Sequence, residues 1–255
     1  MIDLHCHILP GVDDGAKHMT ESIEMARVAV EQGITTIVAT PHHLNEKYTN
    51  KRIDIIQLVA ELNDRLKKEN VPITILPGQE TRIHGELLES YQNGEVLTMN
   101  DKGKYVFIEL PSANVPLYTE KLIYDIQLEG LIPVIVHPER NAELLQSPDK
   151  LYQLVKKGAC TQLTAASLVG AFGKKIKKFS HDIIQANLAH FIASDAHNIK
   201  NRTFKMDEAF ELIDKEFGKE TRYVFMENAE LLIEGQTIIK EIPERIRKKK
   251  LLGLF

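Results

Sequence analysis

The sequence predicts an α/β fold whose parallel strands close into a barrel, and three observations carry that expectation. Short β-branched runs alternate with amphipathic stretches along the chain, which is the rhythm of βα units. A length of 255 residues lies at the upper end for one domain and suffices for one such barrel. Histidines and carboxylates recur just after the predicted strands, on the face where barrels of this kind assemble their active sites. An open doubly wound sheet satisfies the same alternation and stays open as the alternative. No internal repeat, Ser/Gly linker or low-complexity block marks a second domain, so residues 1–255 read as one.

Taken in order, Met1–Leu4 reads as a strand leading into His5. Thr20 is the expected N-cap of a helix with Ile23, Ala26 and Val30 on one face, ended by Gly33. Thr35–Ala39 is a buried strand by its β-branched content. A long helix is expected over Lys51–Asn70, with Ile55, Ile56, Val59 and Leu62 at helical spacing. Strands then follow at Pro72–Leu76 and Val106–Leu110, with an irregular segment, read as an insertion, around Gly78–Asn100. The alternation resumes with a helix at Tyr118–Glu129, a strand at Pro133–Val136, a helix at Lys150–Lys157 and a strand at Cys160–Leu163. A helix at Lys174–Asn187, a strand at His190–Ala193 and a helix at Phe204–Phe217 complete about seven βα units.

With 43% hydrophobic and 27% charged residues, the composition is that of a soluble globular enzyme. The start, Met1-Ile2-Asp3-Leu4-His5, puts a charge where a signal peptide needs an apolar run. No apolar stretch approaches the roughly 20 residues of a membrane span. A cytoplasmic chain is therefore expected. Cys6 and Cys160 are the only cysteines, too few for a disulfide framework or a thiolate metal cage. The net charge of −4 argues against nucleic acid as the main partner. One basic run, Arg245 to Lys250, lies in a C-terminal segment that also holds Leu251, Leu252, Leu254 and Phe255. That mixture suits an anionic membrane surface or a partner, and a solvated tail is the simpler expectation.

The chemistry follows the strands. The first gives His5-Cys6-His7, the second Thr40-Pro41-His42-His43, the third Gly78-Gln79-Glu80 and the fourth Ile108-Glu109. The fifth gives His137-Pro138-Glu139-Arg140 and the last Ser194-Asp195-Ala196-His197. Residues i and i+2 of a strand face the same side, so His5 and His7 can aim jointly inward, as can Asp195 and His197. Cys6 must then point the other way. Carboxylates and imidazoles converging without cations would carry a large desolvation and repulsion cost, which divalent metals remove. Oxygen and imidazole donors without thiolate suit manganese, iron, zinc or magnesium, and ligand type alone does not choose among them. His18, His84, His181 and His190 read as surface or packing residues, and His43 as a hydrogen-bonded neighbour of the cluster.

At these motifs the sequence resembles the polymerase and histidinol phosphatase (PHP) superfamily. Asp3 to Gly15, with its Val12-Asp13-Asp14-Gly15, together with His137-Pro138-Glu139-Arg140 and Ala193 to Asn198, resembles one branch most closely. That branch is the manganese-dependent tyrosine-protein phosphatases of bacterial capsule and exopolysaccharide operons. The likeness runs from about Met1 to Gly235 and implies a distorted seven-stranded (β/α)7 barrel holding up to three metals. Carried over by position, His5, His7, Glu80 and Asp195 would hold one metal. Glu80 would bridge to a second, held also by Glu109 and His137, and Asp14, His42 and His197 would hold a third. Many superfamily members have histidines where this chain has Asp14 and Glu109; the two added charges favour manganese over zinc. Arg140, with Arg202 as a second candidate, would grip the phosphate.

The implied reaction is hydrolysis of phosphotyrosine on proteins by a metal-activated hydroxide, opposing a bacterial tyrosine kinase in exopolysaccharide control. A thiol mechanism is excluded, because Cys-x5-Arg is absent: six residues beyond Cys6 is Val12, and six beyond Cys160 is Ala166. A small-molecule phosphatase, for instance of histidinol phosphate, and a non-catalytic metal-stabilised module are the alternatives.

Overall fold

The β-branched runs become strands that pair only in parallel in the computed structural model, which describes residues 1–246. Residues 247–255, and with them most of the basic and apolar C-terminal segment, lie outside the described residues. One sheet joins β1 (Ile2–Cys6), β2 (Thr36–Ala39) and β4 (Thr74–Pro77) in the order β1-β2-β4. The other joins β3 (His42–His43), β5 (Glu80–Arg82), β6 (Tyr105–Glu109), β7 (Ile132–Val136), β8 (Cys160–Thr164) and β9 (Phe191–Ala193), in that order.

The expected count of about seven strands is corrected to nine among the described residues, because two runs are interrupted. Between β2 and β3 stands Pro41, which has no N–H to give to a ladder. Between β4 and β5 stands Gly78, where an added Cβ would meet Val38 Cγ1 at 2.6 Å. Any side chain there would force the buried Val38 to shift. Where β9 has ended, a single parallel bridge links Cys6 to Ala196, and the Asp195 N–H donates to the His5 carbonyl at 2.8 Å.

Ten α-helices lie between or after the described strands: α1 (Met19–Glu31), α2 (Arg52–Lys68), α3 (Leu87–Gln92), α4 (Thr119–Leu128), α5 (Ala142–Gln146), α6 (Pro148–Lys156), α7 (Ala165–Val169), α8 (Lys174–Gln185), α9 (Met206–Phe217) and α10 (Lys219–Ile233). The cap of α1 is His18 rather than Thr20: its Nδ1 accepts the Glu21 N–H at 3.3 Å, and Thr20 already lies in the first turn. The expected insertion at Gly78–Asn100 instead contributes β5 and α3. Alternation along the strands divides the core. Val106, Ile108 and Ile135 pack with helical residues such as Ile123, while Phe107, Val134 and Val136 pack with Leu4, Val38 and Phe191. No helix of the described residues is long and apolar enough to cross a membrane.

Candidate metal centre

Every sequence-predicted ligand but Asp14 sits at one end of a strand or just past it. β1 carries His5, with His7 two residues on; His42 opens β3, Glu80 opens β5 and Glu109 closes β6. His137 follows β7, Asp195 and His197 follow β9, and Asp14 comes from the loop before α1.

His5 and His7 point the same way, with their Nε2 atoms 3.3 Å apart. Each of those nitrogens lies 3.3 Å from Glu80 Oε2, and they lie 3.6 and 3.3 Å from Asp195 Oδ1. All four side chains are buried. Asp195 and His197 arrive by a different route from the expected strand alternation, since β9 stops at Ala193 and Asp195 has a left-handed φ of 53°. His137 is also left-handed, with φ 36°. Such conformations cost a non-glycine residue about 1–3 kcal/mol and cluster at functional sites.

The remaining donors extend the cluster. Glu80 Oε1 lies 2.7 Å from His137 Nε2, and Glu80 Oε2 lies 2.9 Å from His42 Nδ1. Glu109 sits beside His42, its Oε2 3.7 Å from Nδ1, and Arg82 Nη2 approaches the same carboxylate at 3.2 Å. The other edge of the His42 ring, Nε2, lies 3.4 Å from Asp14 Oδ1, which is itself 3.3 Å from His197 Nε2. His42 therefore touches two groups of donors at once.

Sequence reasoning missed the residues that aim the rings. His5 Nδ1 bonds Gln162 Oε1 at 3.0 Å, and His7 Nδ1 bonds Asp13 Oδ2 at 2.7 Å. His197 Nδ1 bonds the Asp195 carbonyl at 2.9 Å. Each partner is an acceptor, so each Nδ1 carries a proton and Nε2 is the atom turned to the cluster. Asp13 also accepts the His42 N–H at 3.1 Å. The adjacent Asp13-Asp14 pair was the only signal available for it. An added Cβ at Gly15 would stand 2.0 Å from the His7 carbonyl oxygen, so this loop can lie against His7 only with glycine there. His43 is buried, and neither of its ring nitrogens finds a hydrogen-bond partner among the described residues, contrary to expectation.

The electrostatics describe a cluster suited to cations. Burial would push Glu80 and Asp195 up, yet both are held well below the usual carboxylate range. His42 and His5 do this for Glu80, and Arg140 with His7 for Asp195. Burial lowers His42, but Glu80 and Asp14 outweigh it and raise the ring to about 10. His137 and His197 are lowered by burial to about 4. Burial and Glu80 raise Glu109 to about 7. Four atoms of this one cluster, His42 Nδ1, Glu80 Oε2, Glu109 Oε2 and His197 Nε2, are buried with ionisable neighbours at 2.9–3.7 Å but with no contact aligned as a hydrogen bond among the described residues. Orphaned donors of this density, all nitrogen or oxygen, fit divalent cations. Groups able to hold one include His5-His7-Glu80, His42-Glu80-Glu109 and His7-Asp14-His42-His197.

Two arginines overlook the cluster. Arg140 Nη2 lies 2.8 Å from Asp195 Oδ2, and Arg202 reaches Asp195 Oδ2 and Asp14 Oδ2 at 3.3 Å each. Both line a cavity of about 230 Å³ together with His42, Glu80, Glu109 and His137. A plain ion pair of Arg140 with Glu139 or Glu143 is not what forms. Glu139 accepts from the Thr164 N–H and the Ser167 hydroxyl, and Glu143 pairs with Lys150. Cys6 points away, its Sγ 3.5 Å from the Ala196 carbonyl, and burial pushes its thiol well up.

Known proteins resemble this chain over most or all of its length. The tyrosine-protein phosphatase YwqE of Bacillus subtilis is 52% identical over 255 residues, covering all of both chains. The tyrosine-protein phosphatase CpsB of Streptococcus pneumoniae is 30% identical over 244 residues, covering 93% of this chain and all of that one. A crystal structure from a study of YwqE and CpsB as metal-dependent tyrosine phosphatases superposes with a TM-score of 0.95 at 52% identity, over 97% of this chain and all of that one. The family model for capsular polysaccharide synthesis, CpsB/CapC, matches residues 1–234, and the chain belongs to that family.

Proposed function

We propose that this chain is a metal-dependent phosphatase that removes phosphate from tyrosine residues of proteins. The observation that carries the reading is the set of orphaned buried donors beneath two arginines, in a chain so similar to YwqE. In this reading His5, His7, Glu80 and Asp195 hold one divalent cation. Glu80, with His137 and Glu109, would also hold a second, and Asp14, His42 and His197 would hold a third. His42, between two groups, also stands within reach of the second. Manganese is the ion we assign, as the family resemblance implies; oxygen and imidazole donors without thiolate accept it, as they would iron, zinc or magnesium.

Divalent cations in such a site generate a nucleophile from water near neutral pH and neutralise charge on the phosphoryl group. The chain's own residues do the rest. Arg140 and Arg202 donate to the non-bridging phosphoryl oxygens and hold phosphorus in the cavity as charge develops there. Gln162 and Asp13 keep the His5 and His7 rings in the productive orientation. The leaving phenolate has a conjugate acid of pKa about 10, so it departs with little protonation, whereas a serine alkoxide would need a general acid.

Substrates in this reading are tyrosine-phosphorylated proteins, an autophosphorylating bacterial kinase of capsule or exopolysaccharide synthesis among them; the family supports this. A cytoplasmic site of action accords with two free cysteines. We also propose that residues 1–255 form one domain in which the two sheets make a distorted seven-stranded barrel. Support comes from counting β2 with β3 and β4 with β5 as interrupted strands, and from the Cys6–Ala196 bridge. The function is tested by comparing kcat/KM of the manganese-loaded protein on phosphotyrosyl peptide, phosphoseryl peptide and histidinol phosphate. Preference for phosphotyrosine is expected. Preference for histidinol phosphate would replace this reading with a small-molecule one.

A further inference from the structure

The cavity above the donor cluster continues into a wider groove of about 600 Å³, and His42, Glu109 and Ser112 line both. That volume is in the range, roughly 300–1,000 Å³, of sites that enclose a sizeable ligand. The loop Leu44–Tyr48 after β3 forms one wall, and Pro111–Ser112 after β6 forms another. Asn45 Oδ1 holds the loop by accepting the Lys47 and Tyr48 N–H groups at 3.2 and 3.0 Å. The Tyr48 ring lies parallel to that of His42, at 7° with centroids 6.2 Å apart. Tyr118, 41% exposed, is tied to the groove by its hydroxyl, which donates to the Ile83 carbonyl at 3.3 Å. Charges of both signs line the groove, Glu46 and Asp14 against Lys47 and Arg82, and Arg82 is committed to Glu109 and the Leu110 carbonyl. Charge therefore selects no acidic or basic ligand here, while the Tyr48 ring in the wall suits uncharged and aromatic side chains.

We infer that this groove receives the polypeptide on one side of the phosphotyrosine, and that Tyr48 sets the preference for phosphotyrosine within a chain over a free aryl phosphate. The inference rests on the phosphatase reading above. The groove is continuous with the phosphoryl cavity, so a bound peptide leaves along it without a break. An aromatic anchor on a pre-organised loop is a common source of binding energy for polypeptide ligands.

The test compares metal-loaded native protein, Tyr48→Ala and Tyr48→Phe on two substrates, p-nitrophenyl phosphate and a phosphotyrosyl peptide with residues on both sides. Metal content is measured in each. Tyr48→Ala is expected to lower the ratio of peptide to p-nitrophenyl phosphate kcat/KM by on the order of tenfold, mostly through the peptide KM. Tyr48→Phe should keep the native ratio. An unchanged ratio in Tyr48→Ala overturns the inference, whether both activities persist or both fall together with metal content. Native protein that turns over neither substrate would instead remove the phosphatase reading, and this inference with it.

Discussion

His5 and His7 turn their Nε2 atoms toward each other at 3.3 Å, while their Nδ1 atoms are tied outward to Gln162 and Asp13. Two imidazole nitrogens at that distance repel unless a proton or a cation lies between them, and Glu80 and Asp195 bring negative charge to the same point. Nearly every other feature of the site follows from that arrangement.

The outward bonds are the first place to probe it. Gln162→Leu or Asp13→Asn should weaken metal binding by on the order of 10–100-fold, because a ligand ring loses its orientation and basicity. Competition against a chelator of known affinity measures this. Unaltered affinity in both variants would mean that the rings are held by packing alone.

Arg140 separates phosphate recognition from metal binding. Arg140→Ala should lower kcat/KM on aryl phosphate by on the order of 10²-fold or more, with metal content unchanged. Arg140→Lys should recover only part, since an ammonium lacks the planar fork. Near-native kcat/KM in Arg140→Ala at full metal occupancy would transfer the role to Arg202.

Acidity should oppose metal uptake. His42, raised to about 10, and Glu109, raised to about 7, hold protons that a cation must displace. His137 and His197, lowered to about 4, are already neutral ligands at neutral pH. Because the displaced groups have raised values, affinity should climb from about pH 6 to about pH 10, with protons released on binding. Calorimetric titration in two buffers of different ionisation enthalpy reads that release; equal heats in both would contradict it.

Cys6 stands between two ligands in sequence and faces away from them in space. Cys6→Ser should keep activity within a few-fold of native. A loss of several orders of magnitude with metal still bound would restore a nucleophile role.

Much of this site is legible in the sequence because every ligand but Asp14 stands at or just after a β-branched run, and strand ends share one face; Asp14 comes only from the family resemblance. His5 and His7 needed only strand alternation to be placed. Gln162 was not legible, since it meets His5 across 157 residues and looks like any polar strand residue. The interruptions at Pro41 and Gly78 were equally hidden: proline was visible, but the contact of Gly78 with Val38 exists only in three dimensions. Helix α10 escaped notice because its buried positions, Phe225, Ala229 and Leu232, are sparse among Arg222, Glu227 and Glu230. His18 took the cap expected of Thr20 because an imidazole nitrogen accepts an N–H as a hydroxyl oxygen does.

The central claim is that His5, His7, Glu80 and Asp195 hold a cation without which phosphotyrosine is not hydrolysed. The direct measurement is turnover of a phosphotyrosyl peptide by native protein and Asp195→Asn, after exhaustive chelation and after return of manganese, with metal content assayed each time. Native protein should lose activity with its metal and regain it with manganese, while Asp195→Asn stays folded and inactive throughout. Full activity in native protein shown to be metal-free would contradict the account.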